Sequence, residues 1–186
     1  MTEQLQLDFD KIIKTSNISK KNIDSKRNHL KKFIESGFPN RKQEDWKFLD
    51  ISQIIKKNIK NLSFFNDYSL PNKIDSSIFV DGLEHNKIIF INGRIEKIDF
   101  SYEEKNNIEI NDEINTELTL KNENSLIDLN NAFTNKVFKI IVKKNYSLKK
   151  PLIIYHTTNE KIKSKNINLR LEFELEKKSS LRLIDF

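Results

Sequence analysis

The spacing of apolar positions changes period along the chain. Between Ser19 and Ser36, Ile23, Leu30, Phe33 and Ile34 recur at helical intervals and share one face of a helix. Gly37 follows, where positive φ is common just past a helix end, and Pro39 blocks continuation. A second helix is expected over 43–57 with a break near Asp50, because Asp50 and Gln53 have the spacing of a capping box. Trp46, Leu49, Ile54 and Ile55 would supply its buried side. Residues 1–16 are polar with scattered apolar points and read as a loose or partly helical tail.

From Ile78 the pattern is that of strands. Ile78-Phe79-Val80 reads as a short β run before the turn signal Asp81-Gly82. Two further runs, 87–91 and 94–98, flank Asn92-Gly93. Asn-Gly between apolar runs predicts a hairpin, because a type I′ turn needs positive φ at both central residues. Residues 101–123 are polar and irregular, with a short strand at 108–110. Ser125-Leu126-Ile127-Asp128 has capping-box spacing and opens a short helix, with Leu126, Leu129 and Phe133 on one face. Strands are expected at 137–142, 152–156 and 167–175. In the last, Ile167, Leu169, Leu171, Phe173 and Leu175 alternate with polar residues, giving one wet and one buried face. Burying five such side chains contributes about 7–15 kcal/mol before entropy is counted. Lys177–Ser180 forms a corner, and Leu181–Phe186 starts another strand. An apolar strand with nothing beside it is an open edge, so the chain is expected to be a fragment, or to have that strand covered by a partner. The pattern gives three regions: a helical 1–76, a small β region 77–123 with the hairpin, and 124–186, a short helix opening a truncated β core. The class is α+β, mainly β, and a β-sandwich fits the local strand pattern.

Composition narrows the function classes. At 186 residues the chain has room for one domain, or for a small one plus part of a second. With 37% hydrophobic and 32% charged residues it is lean, but not lean enough for disorder. No apolar run approaches the roughly 20 residues of a membrane helix, and the N-terminus lacks the features of a secretory signal. The absence of cysteine excludes disulfides, thiolate metal sites and Cys nucleophiles within these residues, and a cytoplasmic location is the default.

A net charge of +6 and a pI near 9.3 raise the possibility of a nucleic-acid or membrane-surface binder. The excess is nearly all Lys, however, and Ile and Asn are abundant while Ala132 is the single alanine. Such a drift follows from an AT-rich genome. The lysines form scattered pairs with acids between them, which favours a solvated surface over a nucleic-acid face.

Candidate chemistry is sparse. Trp46 reads as a packing residue rather than a ligand-stacking one, and Glu44-Asp45 beside Arg41-Lys42 as a salt-bridged helix start suited to the helix dipole. His85 with Asp81 and Glu84 has metal-ligand residue types but no second His nearby. His156 ends a β run, and His29 reads as exposed on the first helix. There is no Walker A, dinucleotide-Gly or His-Glu-x-x-His motif. No catalytic, cofactor-binding or metal residue is assigned, and a free-standing basic interaction or nucleic-acid-binding module stands as the alternative to a scaffold.

Several motifs occur in a familiar order: Arg27 on the first helix; Gly37-Phe38-Pro39; Arg41, Glu44, Trp46, Lys47 and Phe48; Phe90-Ile91-Asn92-Gly93; Leu129-Asn130-Asn131-Ala132-Phe133; and Pro151-Leu152-Ile153-Ile154. Together they resemble the SufB/SufD family of iron–sulfur cluster assembly scaffold proteins, SufD more than SufB. Asn135-Lys136 stands where the family usually has a Gly, and Phe48 where it has Tyr. The resemblance implies a helical N-terminal region leading into the first coils of a right-handed parallel β-helix. It also implies a non-catalytic subunit that pairs with a SufB-like protein and a SufC-like ATPase, with the iron–sulfur cluster carried by the full complex. The family's cluster-related Cys and His positions lie beyond Phe186, so none transfers to these residues. Arg27, Gly37, Pro39, Arg41, Glu44, Trp46, Asn92, Gly93, Asn130, Ala132 and Phe133 are signature positions of structural character.

Overall fold

The computed structural model describes residues 2–16, 18–58, 62–64, 76–114, 124–134, 136–158, 162 and 165–186. It holds four α-helices among these: α1 (Thr2–Thr15), α2 (Lys20–Ser36), α3 (Ile51–Asn58) and α4 (Ser125–Phe133). The strands are β1 (Asn86–Ile91), β2 (Arg94–Asp99), β3 (Ile108–Ile114), β4 (Lys136–Val142), β5 (Leu152–Thr157), β6 (Arg170–Leu175) and β7 (Leu183–Asp185). The class is α+β with open, mixed sheets. No described helix is long and apolar enough to cross a membrane. The chain forms two compact units, each assembled from three separated stretches.

The first unit comprises Met1–Asn66, Glu113–Val137 and Ser164–Arg170. Residues 1–16, expected as a loose or partly helical tail, are helical over Thr2–Thr15 and contribute to its core. Leu5, Phe9 and Ile12 of α1 lie on one helical face and are buried against Leu30 and Phe33 of α2, Phe64, and Leu129, Ala132 and Phe133 of α4. Phe133 is central: Phe9 meets it edge-on at 6.1 Å and Phe64 lies 4.7 Å away. Asp8 is buried on the same helix, and its Oδ2 accepts from Ser63 Oγ at 3.0 Å and from the Phe64 N–H at 2.7 Å. That carboxylate fastens 63–64 to α1, and no local pattern announces it.

Helix α2 starts at the Ser19 cap, whose side chain accepts from the Asn22 N–H, and ends at Gly37, with φ 69° and its N–H on Phe33 O. Its buried face differs from expectation. Ile34 is exposed, whereas Lys26 is buried. Around the helix, position 26 falls between 30 and 33, so burying Leu30 and Phe33 carries the Lys26 stem inward with them.

The second unit comprises Asp67–Asp112, Phe138–Lys163 and Leu171–Phe186. Its larger sheet has the order β2-β1-β5-β7. The β1–β2 hairpin turns at Asn92 (φ 52°) and Gly93 (φ 78°), as the Asn-Gly signal predicts. β5 lies parallel to β1, pairing Asn86 with Leu152 through Ile91 with Thr157, and β7 lies parallel to β5. A three-stranded sheet has the order β3-β4-β6, and Phe90 of β1 reaches Phe138 of β4 at 5.3 Å between ring centres.

The opposite face of the larger sheet shows Ile89, Ile91, Ile153 and Tyr155, and it is covered by Ile78, Phe79 and Val80. These three residues are therefore not the expected strand. Ile78 ends a single helical turn at Ser76–Ile78, Phe79 and Val80 follow it, and the three serve as an irregular cover. The apolar run is real, but its side chains are used against the sheet while its backbone pairs with no strand.

The expected strand over 167–175 is also shortened. Residues 166–169 precede β6 because their backbone is engaged elsewhere: the Asn166 N–H donates to Ser63 O at 2.7 Å, and Leu169 O accepts from Asn130 Nδ2 at 3.3 Å. Leu171 and Phe173 are half-buried and Leu175 is 50% exposed, so the five-residue buried face is only partly realised.

One corner geometry recurs. Asn145 and Lys178 both adopt left-handed φ, at 61° and 62°. The following residues pair in parallel at Ser147 and Ser180, 33 residues apart, with hydroxyls 2.8 Å from each other. The Leu148 N–H donates to Ser180 O and the Ser180 N–H to Tyr146 O, so the two corners lie directly against one another.

Candidate functional site

The signature around Trp46 is a surface turn rather than a cleft. Gly37 ends α2, Phe38 packs edge-on against Phe33 at 5.0 Å, and Pro39 is buried beside it. Asn40 Oδ1 accepts from the Lys42 N–H at 2.9 Å, closing an Asx turn. Glu44–Trp46 forms a single 3₁₀ turn, and Lys47 Nζ reaches Glu44 Oε1 at 3.0 Å. Both partners are exposed, so the pair adds little stability. Arg41 is exposed, and Arg27 is an exposed partner of Asp24 at 3.4 Å.

The helix expected over 43–57 with a break near Asp50 is indeed interrupted ahead of Asp50, leaving a 3₁₀ turn and a separate short helix. Asp50 Oδ1 accepts from the Gln53 N–H at 2.9 Å and starts α3, a helix of only 8 residues. α3 has no fully buried residue, Trp46 is only half-buried, and Phe48 is 87% exposed. The predicted core face of this segment is therefore largely open.

α4 is better anchored. Asn130 Oδ1 accepts from Thr134 Oγ1 at 2.7 Å, and its amide donates to Leu169 O. Asn131 Oδ1 accepts from Arg170 at 3.3 Å. Ala132 is 0% exposed, and Phe133 fills the core. The N-cap is Asn124, which accepts from the Leu126 N–H at 2.9 Å, rather than Ser125, which is the first helical residue and buried. Asn135 lies outside the described residues, and Lys136 opens β4.

Two α2 side chains bind α4 in ways the sequence does not signal. Lys26 Nζ donates to Asn131 O at 3.4 Å and to Thr134 O, satisfying carbonyls at the end of α4. Burial pulls the Lys26 amine down to about 8. His29, expected to be exposed, is part-buried with Nδ1 2.6 Å from Asp128 Oδ1.

In the second unit the sequence trio Asp81, Glu84 and His85 does not converge. Asp81 is exposed, and Glu84 Oε2 is paired with Lys150 Nζ at 2.6 Å. The ring nitrogens of His85 face Leu83 O at 2.6 Å and Tyr155 Oη at 2.8 Å. His156 stacks on Phe90, with its Nε2 2.7 Å from Asp185 Oδ1. Among the described residues no group of three or more His, Cys, Asp or Glu is arranged to hold a metal.

Glu103, which sequence reading passes over, accepts four hydrogen bonds. Its Oε1 accepts from Asn86 Nδ2 at 2.6 Å and the Lys150 N–H at 3.1 Å; its Oε2 accepts from Tyr146 Oη at 2.7 Å and the Lys149 N–H at 3.1 Å. Burial alone would raise its carboxyl, but these four donors hold it below the ordinary glutamate range. Burial likewise pushes the Tyr146 phenol up. The arrangement clamps the 146–150 corner to the loop before β3. Its partners lie more than 40 residues ahead in the chain, apart from Asn86, so no local motif could announce it.

The surface lysines are interleaved with acids. Lys139 meets Glu174 at 2.6 Å, Lys143 lies between Glu109 and Glu176, and Lys149 meets Glu104 at 2.9 Å. Hydrogen bonding to Glu109 and to Glu104 raises the Lys143 and Lys149 amines. A scan against protein-family models finds no match to the chain, and no curated protein matches it in sequence.

Proposed function

We propose that the chain acts as a non-catalytic, SufD-like scaffold in a SUF-type iron–sulfur cluster assembly complex of the cytoplasm. The unit built on β1, β5 and β7 would form the first coils of a right-handed parallel β-helix. One observation supports this reading most: strands far apart in sequence pair in parallel, and the left-handed corner recurs after 33 residues. Stacked coils bury a continuous core through neighbour contacts, and their corners repeat in this manner. A sandwich is built from antiparallel sheets and gives no reason for parallel β1–β5–β7 pairing. The Trp46 signature and the Asn130–Phe133 helix add sequence support.

In this role the chain would hold a SufB-like subunit and a SufC-like ATPase in one assembly. The cluster and any ATP hydrolysis would belong to the complex and the ATPase. The basic-module alternative is less well supported, because Lys139, Lys143, Lys149 and Lys150 are each engaged by a glutamate. The test is co-expression of the tagged chain with SufB-like and SufC-like proteins from the same source, followed by mass measurement by light scattering. A stoichiometric complex that persists at raised salt supports the scaffold. A chain that elutes alone while the other two associate refutes it. Nucleic acid co-purifying and lost steeply with salt would instead favour the basic module.

A further inference from the structure

We propose that residues 78–85 form a pH-released strap over the larger sheet, with His85 as its sensor and Tyr155 as its catch. The strap lays Ile78, Phe79 and Val80 on Ile89, Ile91, Ile153 and Tyr155. Phe79 meets Tyr155 edge-on at 5.1 Å, and Lys87 Nζ lies 5.2 Å over the Phe79 ring. Its polar fastening is a chain of three hydrogen bonds: the Val80 N–H to Tyr155 Oη at 3.1 Å, Tyr155 Oη to His85 Nε2 at 2.8 Å, and His85 Nδ1 to Leu83 O at 2.6 Å.

Chemistry fixes the proton positions in that chain. A carbonyl only accepts, so His85 Nδ1 carries a hydrogen. In the neutral ring Nε2 is then an acceptor, and Tyr155 donates to it. The Tyr155 oxygen in turn accepts from Val80. Protonating His85 places a second hydrogen on Nε2, so the Tyr155 oxygen must accept from both His85 and Val80, and the Tyr155 hydroxyl hydrogen loses its acceptor. Tyr155 is 0% and His85 6% exposed, so water does not substitute while the strap is down.

The surrounding charges do not rescue the charged ring. On the strap, Asp81 is exposed and Glu84 is held by Lys150. On β1, Lys87 is a second cation. On β5, His156 is the titratable neighbour of Tyr155 in sequence and is paired with Asp185 of β7; Phe186, which touches Tyr155 at 5.7 Å, has an apolar ring. The protonated ring is therefore accommodated by lifting the strap, which opens the apolar face of Ile89, Ile91 and Ile153. Proton uptake by the ring therefore favours the lifted strap, and closure weakens as the solution is made more acidic.

The experiment is amide hydrogen exchange on the full chain by NMR from about pH 8 to pH 5, corrected for intrinsic rates, together with ¹⁵N imidazole spectra. The expected result is an Nδ1–H tautomer for His85 at the upper pH. Val80 protection should fall by about tenfold or more between pH 8 and pH 5, following protonation of the His85 ring, while β1 amides stay protected. In Tyr155→Phe, Val80 protection should be low and independent of pH. Constant Val80 protection, an Nε2–H tautomer, or simultaneous loss of β1 protection would each overturn the proposal. The tautomer and wild-type exchange data decide the matter even if the variant fails to fold.

Discussion

Replacing Lys26 with Met tests how a buried cation behaves at the α2–α4 contact. Lys26 is 2% exposed, and burial lowers its amine from 10.5 to about 8. In the window between those values the unfolded chain binds more protons than the folded one, so folding stability rises with pH. A shift of that size corresponds to about 3 kcal/mol gained between pH 8 and pH 10.5, and the penalty for the buried charge is fully present below pH 8. Lys26→Met keeps the aliphatic stem and removes the charge, but it leaves Asn131 O and Thr134 O without that donor, at about 1 kcal/mol each. The variant should therefore be within about 1 kcal/mol of wild type at pH 7. The assay is urea unfolding followed by far-UV circular dichroism at pH steps from 7 to 10.5. The wild-type-minus-variant difference should rise across that range by about 3 kcal/mol, because other titrations cancel in it. A flat difference, or one that falls with pH, would refute the desolvation argument.

Phe133→Ala should lower stability by about 3–5 kcal/mol, read from the urea midpoint, because the ring joins Phe9 and Phe64 in the first core. Gly93→Ala should cost about 1–2 kcal/mol by the same measurement, since φ there is 78°. Glu103→Gln should speed exchange of the Lys149 and Lys150 amides. It should also make the protein less stable at neutral pH, and the gap should close as pH falls through the lowered carboxyl value, where wild type loses the same advantage.

Sequence reading succeeded where the determinant is local. The Asn92-Gly93 turn, the Ser19-to-Gly37 helix and the Asp50 cap each need only a few adjacent residues. It failed where the determinant is distant. Leu5, Phe9 and Ile12 form too short a stripe to declare a core helix without Phe133 opposite them. Ile78–Val80 carries the composition of a strand, yet its role is set by the sheet face beneath it. His29 reads as a surface residue and nothing local marks Lys26, because their partners lie about a hundred residues onward. Among the candidate positions, the buried ones on α4 have a clear packing role, whereas Arg27, Arg41 and Glu44 project into solvent and Trp46 is half-covered.

The distance between Lys26 and Asn131, 105 positions, has a consequence for synthesis. At about 5–20 residues per second, a ribosome needs about 5–20 s to bring α4 out after α2. During that interval Leu30 and Phe33 have emerged without Leu129 and Phe133 to cover them. The nascent N-terminal helices are thus a natural substrate for a holding chaperone, and slowing translation between residues 36 and 125 should lengthen that exposure and lower the yield of folded chain.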